Sequence, residues 1–154
     1  MRCNVGVNPE YLTDQHLIAE YRELPMVTGS LRINGWKIKS PIGTSFSLGK
    51  GHVNWFKPRL AYLRERHEAV RREMAVRGFK HDALEIKYED CLKHLWNTWK
   101  PTLEDSAIVR KRIYNKIFSN YMPVSWWRYK GNKLDMDIAV DLFKKITDGE
   151  LYYV

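Results

Sequence analysis

Apolar residues recur at helical spacing along most of this chain and at strand spacing almost nowhere. Leu17, Ile18, Tyr21 and Leu24 form one stripe. Asn8-Pro9 ahead of it reads as an N-cap followed by proline at the first helical position, and Pro25 ends the helix so predicted. Its other face carries Gln15, His16, Glu20, Arg22 and Glu23, a rich polar surface. Residues 28 to 51 gather Gly29, Gly35, Pro41, Gly43, Gly49 and Gly51, which predicts a long loop with little regular structure. From Pro58 the pattern changes. Leu60, Leu63, His67, Val70 and Met74 recur at three and four residues, Arg59, Arg64, Arg66, Arg71 and Arg72 fall largely off that stripe, and Gly78 supplies a stop. Leu84, Tyr88, Leu92, Leu95 and Trp99 predict a shorter helix ending before Pro101. Thr102 with Asp105 forms a capping box, opening a helix to Tyr121 on which Val109, Ile113, Ile117 and Tyr121 face inward. Asp135 to Ile146 is a last amphipathic helix, acidic early and carrying Lys144 and Lys145 late, as its dipole favours. The fold class is all-α, in one compact domain.

Composition narrows the function. The chain has 154 residues, 26 Lys+Arg against 18 Asp+Glu and a formal charge of +8. Such an excess on a small surface favours a polyanionic partner, either nucleic acid or an anionic membrane. No apolar run approaches the roughly 20 residues of a membrane span, and the N-terminus lacks the apolar stretch of a signal peptide, so a cytoplasmic protein is expected. Cys3 and Cys91 stand far apart with no CxxC pair and read as buried thiols. His16, His52, His67, His81 and His94 show no spacing that would set two ligands on one helix face, so no metal is expected.

Four features carry candidate chemistry. Arg22-Glu23 offers a cation and a carboxylate, although a solvated charge pair accounts for them on pattern alone. Met1-Arg2 would keep its methionine, because a following side chain as large as arginine disfavours removal. The terminal amine then lies beside a permanent cation, and its reference pKa of about 7.7 to 8.0 makes it a usable nucleophile near neutrality. Arg112 and Lys116, one turn apart among Arg110 and Lys111, are spaced to grip successive phosphates or simply to solubilise the helix. Trp126, Trp127 and Tyr129 interleave with Arg128 and Lys130, a pattern that stacks on exposed bases or closes a core. His67, on its apolar stripe, reads as a packed histidine.

The run Asp14-Gln15-His16-Leu17-Ile18-Ala19-Glu20-Tyr21-Arg22-Glu23-Leu24-Pro25 resembles the first-helix signature of the phage pyrimidine-dimer DNA glycosylase family, also called phage endonuclease V. Leu48-Gly49-Lys50-Gly51-His52-Val53 with Phe56, Leu63-Arg64-x-Arg66 and Arg77-Gly78-Phe79 continue the resemblance in order. Arg112-Ile113-x-x-Lys116-Ile117 and Trp126 to Gly131 look like the family's phosphate-gripping helix and aromatic tail. The resemblance spans residues 1 to 131, leaving 132 to 154 as an extension packed on the same domain.

The resemblance implies a compact helical domain whose N-terminal segment threads between helices and delivers the terminal amine to Glu23. It implies a glycosylase with abasic-site lyase activity on damaged duplex DNA, with cyclobutane pyrimidine dimers as substrate. Met1 would be nucleophile and Glu23 the catalytic carboxylate, with Arg22 and His16 supporting the site. DNA would be held by Arg2, Arg22, Arg112, Lys116, Trp126, Trp127, Arg128, Tyr129 and Lys130, by a monomer without cofactor or metal. The chain departs from the family in three ways. Met1 stands where family members expose threonine, Met26 replaces a basic residue just past the first-helix proline, and residues 132 to 154 extend beyond the family's usual end. A divergent member acting on another lesion, and a catalytically silent DNA-binding protein, are the two rival readings.

Overall fold

The computed structural model of the protein describes residues 2–82, 90–119 and 121–154. It is all-α. Among the described residues six helices, α1 (Asp14–Glu23), α2 (Met26–Ile33), α3 (Lys50–Phe56), α4 (Leu60–Val76), α5 (Leu103–Phe118) and α6 (Met136–Asp148), enclose one apolar core. The sole described sheet is a hairpin, with β1 (Arg128–Tyr129) antiparallel to β2 (Asn132–Lys133) in the register Arg128 opposite Lys133. Among the described residues no helix is long and apolar enough to cross a membrane.

Local chemistry explains most boundaries. Thr13 caps α1 by accepting from the His16 N–H, and Thr102 with Asp105 closes the predicted capping box on α5. Asp135 caps α6, and Gly78 takes a left-handed φ of 72° just past α4. The α4 stripe of Leu60, Leu63, His67, Val70 and Met74 is buried as expected.

Several expectations are corrected. Asn8 does cap Pro9, but what it opens is a 3₁₀ turn, Pro9–Tyr11, and α1 starts only at Asp14. Residues 28 to 51 are not one loop. Val27 and Leu31 lie one turn apart and both bury, so α2 forms despite Gly29, whose helical cost of about 1 kcal/mol is smaller than the gain from packing two aliphatic side chains. α3 likewise begins within the loop's predicted end, at Lys50. Tyr121 does not face inward; α5 ends at Phe118 and Tyr121 is 89% exposed. Leu84 and Tyr88 of the predicted shorter helix lie outside the described residues, Leu92 and Leu95 sit in a 3₁₀ turn over Asp90–Leu95, and Trp99 belongs to no helix or strand. Trp99 instead packs with Phe46, Trp55, Phe56 and Tyr62 in one aromatic cluster that pins the irregular 34–49 segment to the core.

The polar face of α1 meets solvent only in part: His16 and Glu20 are buried, whereas Arg22 is exposed. Glu20 is fully buried, and its carboxylate accepts from two nitrogens of Arg66 on α4, Nε at 2.7 Å and Nη2 at 3.1 Å. Arg66, expected off the buried stripe, is equally inaccessible. The remaining lone pairs of Glu20 accept from the Asn4 backbone N–H at 3.0 Å and the Asn4 amide at 2.7 Å. Burial alone pushes the Glu20 carboxyl up, but Arg66 and then Asn4 outweigh it and hold it below the usual carboxylate range. The N-terminal segment from Cys3 to Val7 is thus threaded through the interior. Cys3 donates its N–H to His52 Nε2 at 3.1 Å, and burial pushes its thiol well above the ordinary range, an inert packed sulfur. Gly6 passes so close to α5 that a Cβ there would lie 2.6 Å from the Ser106 Cβ.

A second anchor sits at the start of α1. Arg77, at the end of α4, donates to the Leu12 carbonyl and the Asp14 carboxylate, both at 2.8 Å, and Asp14 also accepts the N–H groups of Lys130 and Gly131. One carboxylate therefore joins α4, α1 and the hairpin.

Arg66→Met leaves the Glu20 carboxylate buried with no cation, which should cost about 3–5 kcal/mol of stability. Urea denaturation of Arg66→Met beside the double variant Glu20→Leu/Arg66→Met measures this. The double variant is expected to recover much of the loss, and a single-variant cost under about 1 kcal/mol would contradict the pairing.

Candidate active site

The N-terminal segment, two helices and the stretch after α5, which holds a 3₁₀ turn over Val124–Trp126, converge on one face. The N-terminal segment brings Arg2, α1 brings Gln15, His16 and Glu23, and α5 brings Arg112 and Lys116. The stretch after α5 adds Tyr121, Met122, Trp126 and Trp127. Together, Glu23 aside, these side chains line a cleft of about 300 Å³.

Helical spacing explains the arrangement along α1. His16, Glu20 and Glu23 are separated by four and three residues and share a stripe. Glu20, in the middle, is sealed against Arg66, while His16 reaches the cleft and Glu23 stays partly open, with a side chain 26% exposed. Arg2 Nη1 lies 3.5 Å from Glu23 Oε1. Met1 itself lies outside the described residues.

The cleft is strongly cationic. His16 is stacked on Trp127 at 4.6 Å with an interplanar angle of 5°, and its Nδ1 is 2.7 Å from the Thr13 hydroxyl. Burial, then Arg112, Arg2 and Lys116, push its pKa down to about 3. The imidazole is therefore neutral at physiological pH. His52 is driven to about 4, chiefly by burial, and remains a neutral acceptor for the Cys3 N–H. Arg112 is oriented by the N-terminal segment: its Nη2 donates to Asn4 Oδ1 at 2.6 Å. Lys116, one turn further, is exposed on the rim. Trp126 is 45% exposed whereas Trp127 is buried, so the two adjacent indoles differ in availability.

Of the residues expected at the site, Arg2, His16, Glu23, Arg112, Lys116, Trp126 and Trp127 are brought together. Arg22 is exposed and lies about 100° around α1 from Glu23, away from the cleft lining. Arg128, Tyr129 and Lys130 lie on the hairpin, where structural contacts occupy much of them. The Arg128 guanidinium donates to Gly131 O, the Tyr129 hydroxyl to Glu10 O, and Lys130 Nζ is 4.0 Å from Glu10. Gln15 ties this hairpin to the cleft by donating to Trp126 O at 2.7 Å and accepting from the Arg128 N–H at 2.9 Å.

Sequence reasoning missed Asn4 and the buried Glu20–Arg66 pair, although all three support the cleft from below. Their signal was present but ambiguous: Glu20 and Arg66 both stood inside motif runs, yet charged residues off an apolar stripe count as surface in a periodicity reading.

A family model described as pyrimidine dimer DNA glycosylase matches residues 2–87, more than half of the chain. The matched stretch contains Arg2, Asn4, His16, Glu20, Glu23 and Arg66, that is, the threaded segment, the carboxylate stripe and the pair that locks them together. On that match the chain belongs to the pyrimidine dimer DNA glycosylase family, a family of DNA-repair enzymes that act on DNA.

Proposed function

We propose that this protein is a DNA glycosylase with abasic-site lyase activity, acting on cyclobutane pyrimidine dimers in duplex DNA through an imine formed by the Met1 amine. The observation that carries the proposal is Arg2 held 3.5 Å from Glu23 at the edge of a cationic cleft, with the segment behind it clamped into the core. A terminal amine is a chemical reagent only if the chain behind it is fixed, since a free terminus loses the benefit of proximity.

In this reading the amine nitrogen attacks C1′ of the damaged nucleotide. The glycosidic bond breaks with its electrons leaving on the base, the nitrogen sheds its proton, and the sugar ring opens to an imine. Glu23 stabilises the cation and assists removal of a 2′ proton, after which the 3′ C–O bond breaks by β-elimination. Neutral His16 lines the place where the sugar would lie, and supports it by hydrogen bonding without adding charge. Lys116 and Arg2 hold phosphates, with Arg112 contributing the part of its guanidinium not engaged by Asn4. Trp126 offers an exposed ring to an unstacked base. Arg22 and the hairpin cations Arg128 and Lys130 reach the flanking backbone. Residues 132–154 belong to the same domain in this reading.

The decisive experiment compares protein beginning at Met1 with protein carrying a short leader, on one duplex with a single dimer. A leader converts the amine to an amide, whose delocalised lone pair cannot form an imine. Borohydride should trap a covalent adduct only with the first protein, and equal nicking by both would transfer the attack to a lysine or to water.

Glu23→Gln keeps the side-chain size and removes its charge. Turnover is expected to fall by about 10²–10³ while duplex affinity stays within a few-fold; nicking at the parent rate would remove Glu23 from the mechanism. Lys116→Ala should weaken damaged and undamaged duplex alike and lower the slope of log K against log salt by about 0.9. An unchanged slope would show that Lys116 touches no phosphate.

A further inference from the structure

The segment after α6 returns to the N-terminal strand and closes over the pair that holds it. Tyr152 donates its backbone N–H to Gly6 O at 3.2 Å, forming an antiparallel bridge, and the Leu151 side chain lies against Gly6. Arg66 Nη1 divides its donors between two chain ends, reaching Val7 O at 2.8 Å and the backbone oxygen of Val154 at 2.7 Å, while the Tyr152 ring lies 5.9 Å from the guanidinium. The other side of the same guanidinium holds Glu20, Glu20 holds Asn4, and Asn4 accepts from Arg112 in the cleft. A continuous hydrogen-bonded path thus runs from Val154 through Arg66, Glu20 and Asn4 to a cation lining the cleft. Its inner members are fully buried.

From this we infer that Leu151–Val154 is a positioning element of the active site, setting the register of residues 2–7 and hence the place of whatever chemistry precedes Arg2. It acts at a distance. None of Leu151–Val154 lines the cleft, so the tail touches no group placed there. Its influence is exerted in two ways. The bridge to Gly6 stops the strand from sliding, and the cover over Arg66 keeps water from the Glu20 pair, preserving the low-dielectric environment in which those hydrogen bonds are strong. Leu151–Val154 lie beyond residues 2–87, the stretch that the family model matches.

The catalytic half of this inference rests on the imine reading, and the test keeps the two apart. Tyr152→Pro removes the N–H that Gly6 accepts, whereas Tyr152→Phe keeps both that N–H and the ring. Hydrogen exchange at the Cys3 and Asn4 amides reads the strand directly. Exchange should be at least roughly tenfold faster in Tyr152→Pro and within about twofold of the parent in Tyr152→Phe. In protein beginning at Met1, single-turnover nicking of saturating abasic duplex should fall about tenfold in Tyr152→Pro, with affinity for undamaged duplex within about twofold. If the parent gives no borohydride adduct, the imine reading fails and the exchange result alone decides this inference. Unchanged protection at Cys3 and Asn4 overturns it, as does a rate loss matched by an equal loss of affinity for undamaged duplex. Should Tyr152→Pro not fold, the chain shortened after Glu150 is put through the same two assays with the same criteria.

Discussion

A carboxylate and a guanidinium with no access to water set the conditions for everything else in this molecule. Neither Glu20 nor Arg66 could be buried alone, because an uncompensated charge in the interior costs several kcal/mol. Each saturates the other, and the donors and acceptors left over are filled by backbone. Glu20 takes the Asn4 N–H, and Arg66 takes Val7 O and Val154 O. The pair therefore does more than survive burial. It collects non-helical chain from residues 4–7 and from Val154 and gives that chain hydrogen-bond partners which no sheet supplies.

That solution explains how an irregular N-terminal strand can be rigid. Residues 3–7 belong to no helix, and a lone strand in water holds no shape. Here Cys3, Asn4 and Gly6 each have a specific partner: His52 at Cys3, Glu20 and Arg112 at Asn4, and Tyr152 at Gly6. The neutrality of His52 matters to this chain of contacts, since only an unprotonated Nε2 accepts from the Cys3 N–H. His16 is kept neutral by burial and by the cations beside it, which concentrates positive charge on Arg2, Arg112 and Lys116. A cleft so charged suits an anionic backbone, and a neutral ring stacked on Trp127 gives it a rigid floor.

The division of labour along the chain follows from the same geometry. The stretch that carries the family match builds the threaded segment, the carboxylate stripe and α4, while the cations and indoles that complete the cleft come from α5 and the segment after it. Asp14 and Gln15 join these two parts: Asp14 binds Arg77 and the hairpin turn, and Gln15 bridges Trp126 and Arg128. The first turn of α1 thus carries His16 in the cleft and, in the two residues before it, Asp14 and Gln15, the ties that hold the cleft's two halves together.

The sequence by itself determined the helices whose apolar periodicity and caps agree. α4 with its stop at Gly78, α5 with its Thr102–Asp105 box and α6 behind Asp135 are all local agreements of spacing and chemistry, and the motif runs pointed to Arg2, Glu23, Arg112 and Lys116. What only the tertiary structure decided was which polar residues meet water. Glu20 and Glu23 are three residues apart on one helix and read alike, yet one is sealed by an arginine from another helix and the other remains open beside Arg2. Arg66 and Arg64 differ in the same way, one buried and one exposed, on the same helix. Periodicity records whether a position is charged, whereas burial of a charge depends on a partner tens of residues away whose arrival no local pattern encodes. α2 escaped notice for the related reason that its helix is held by Val27 and Leu31 packing into a core assembled from distant segments.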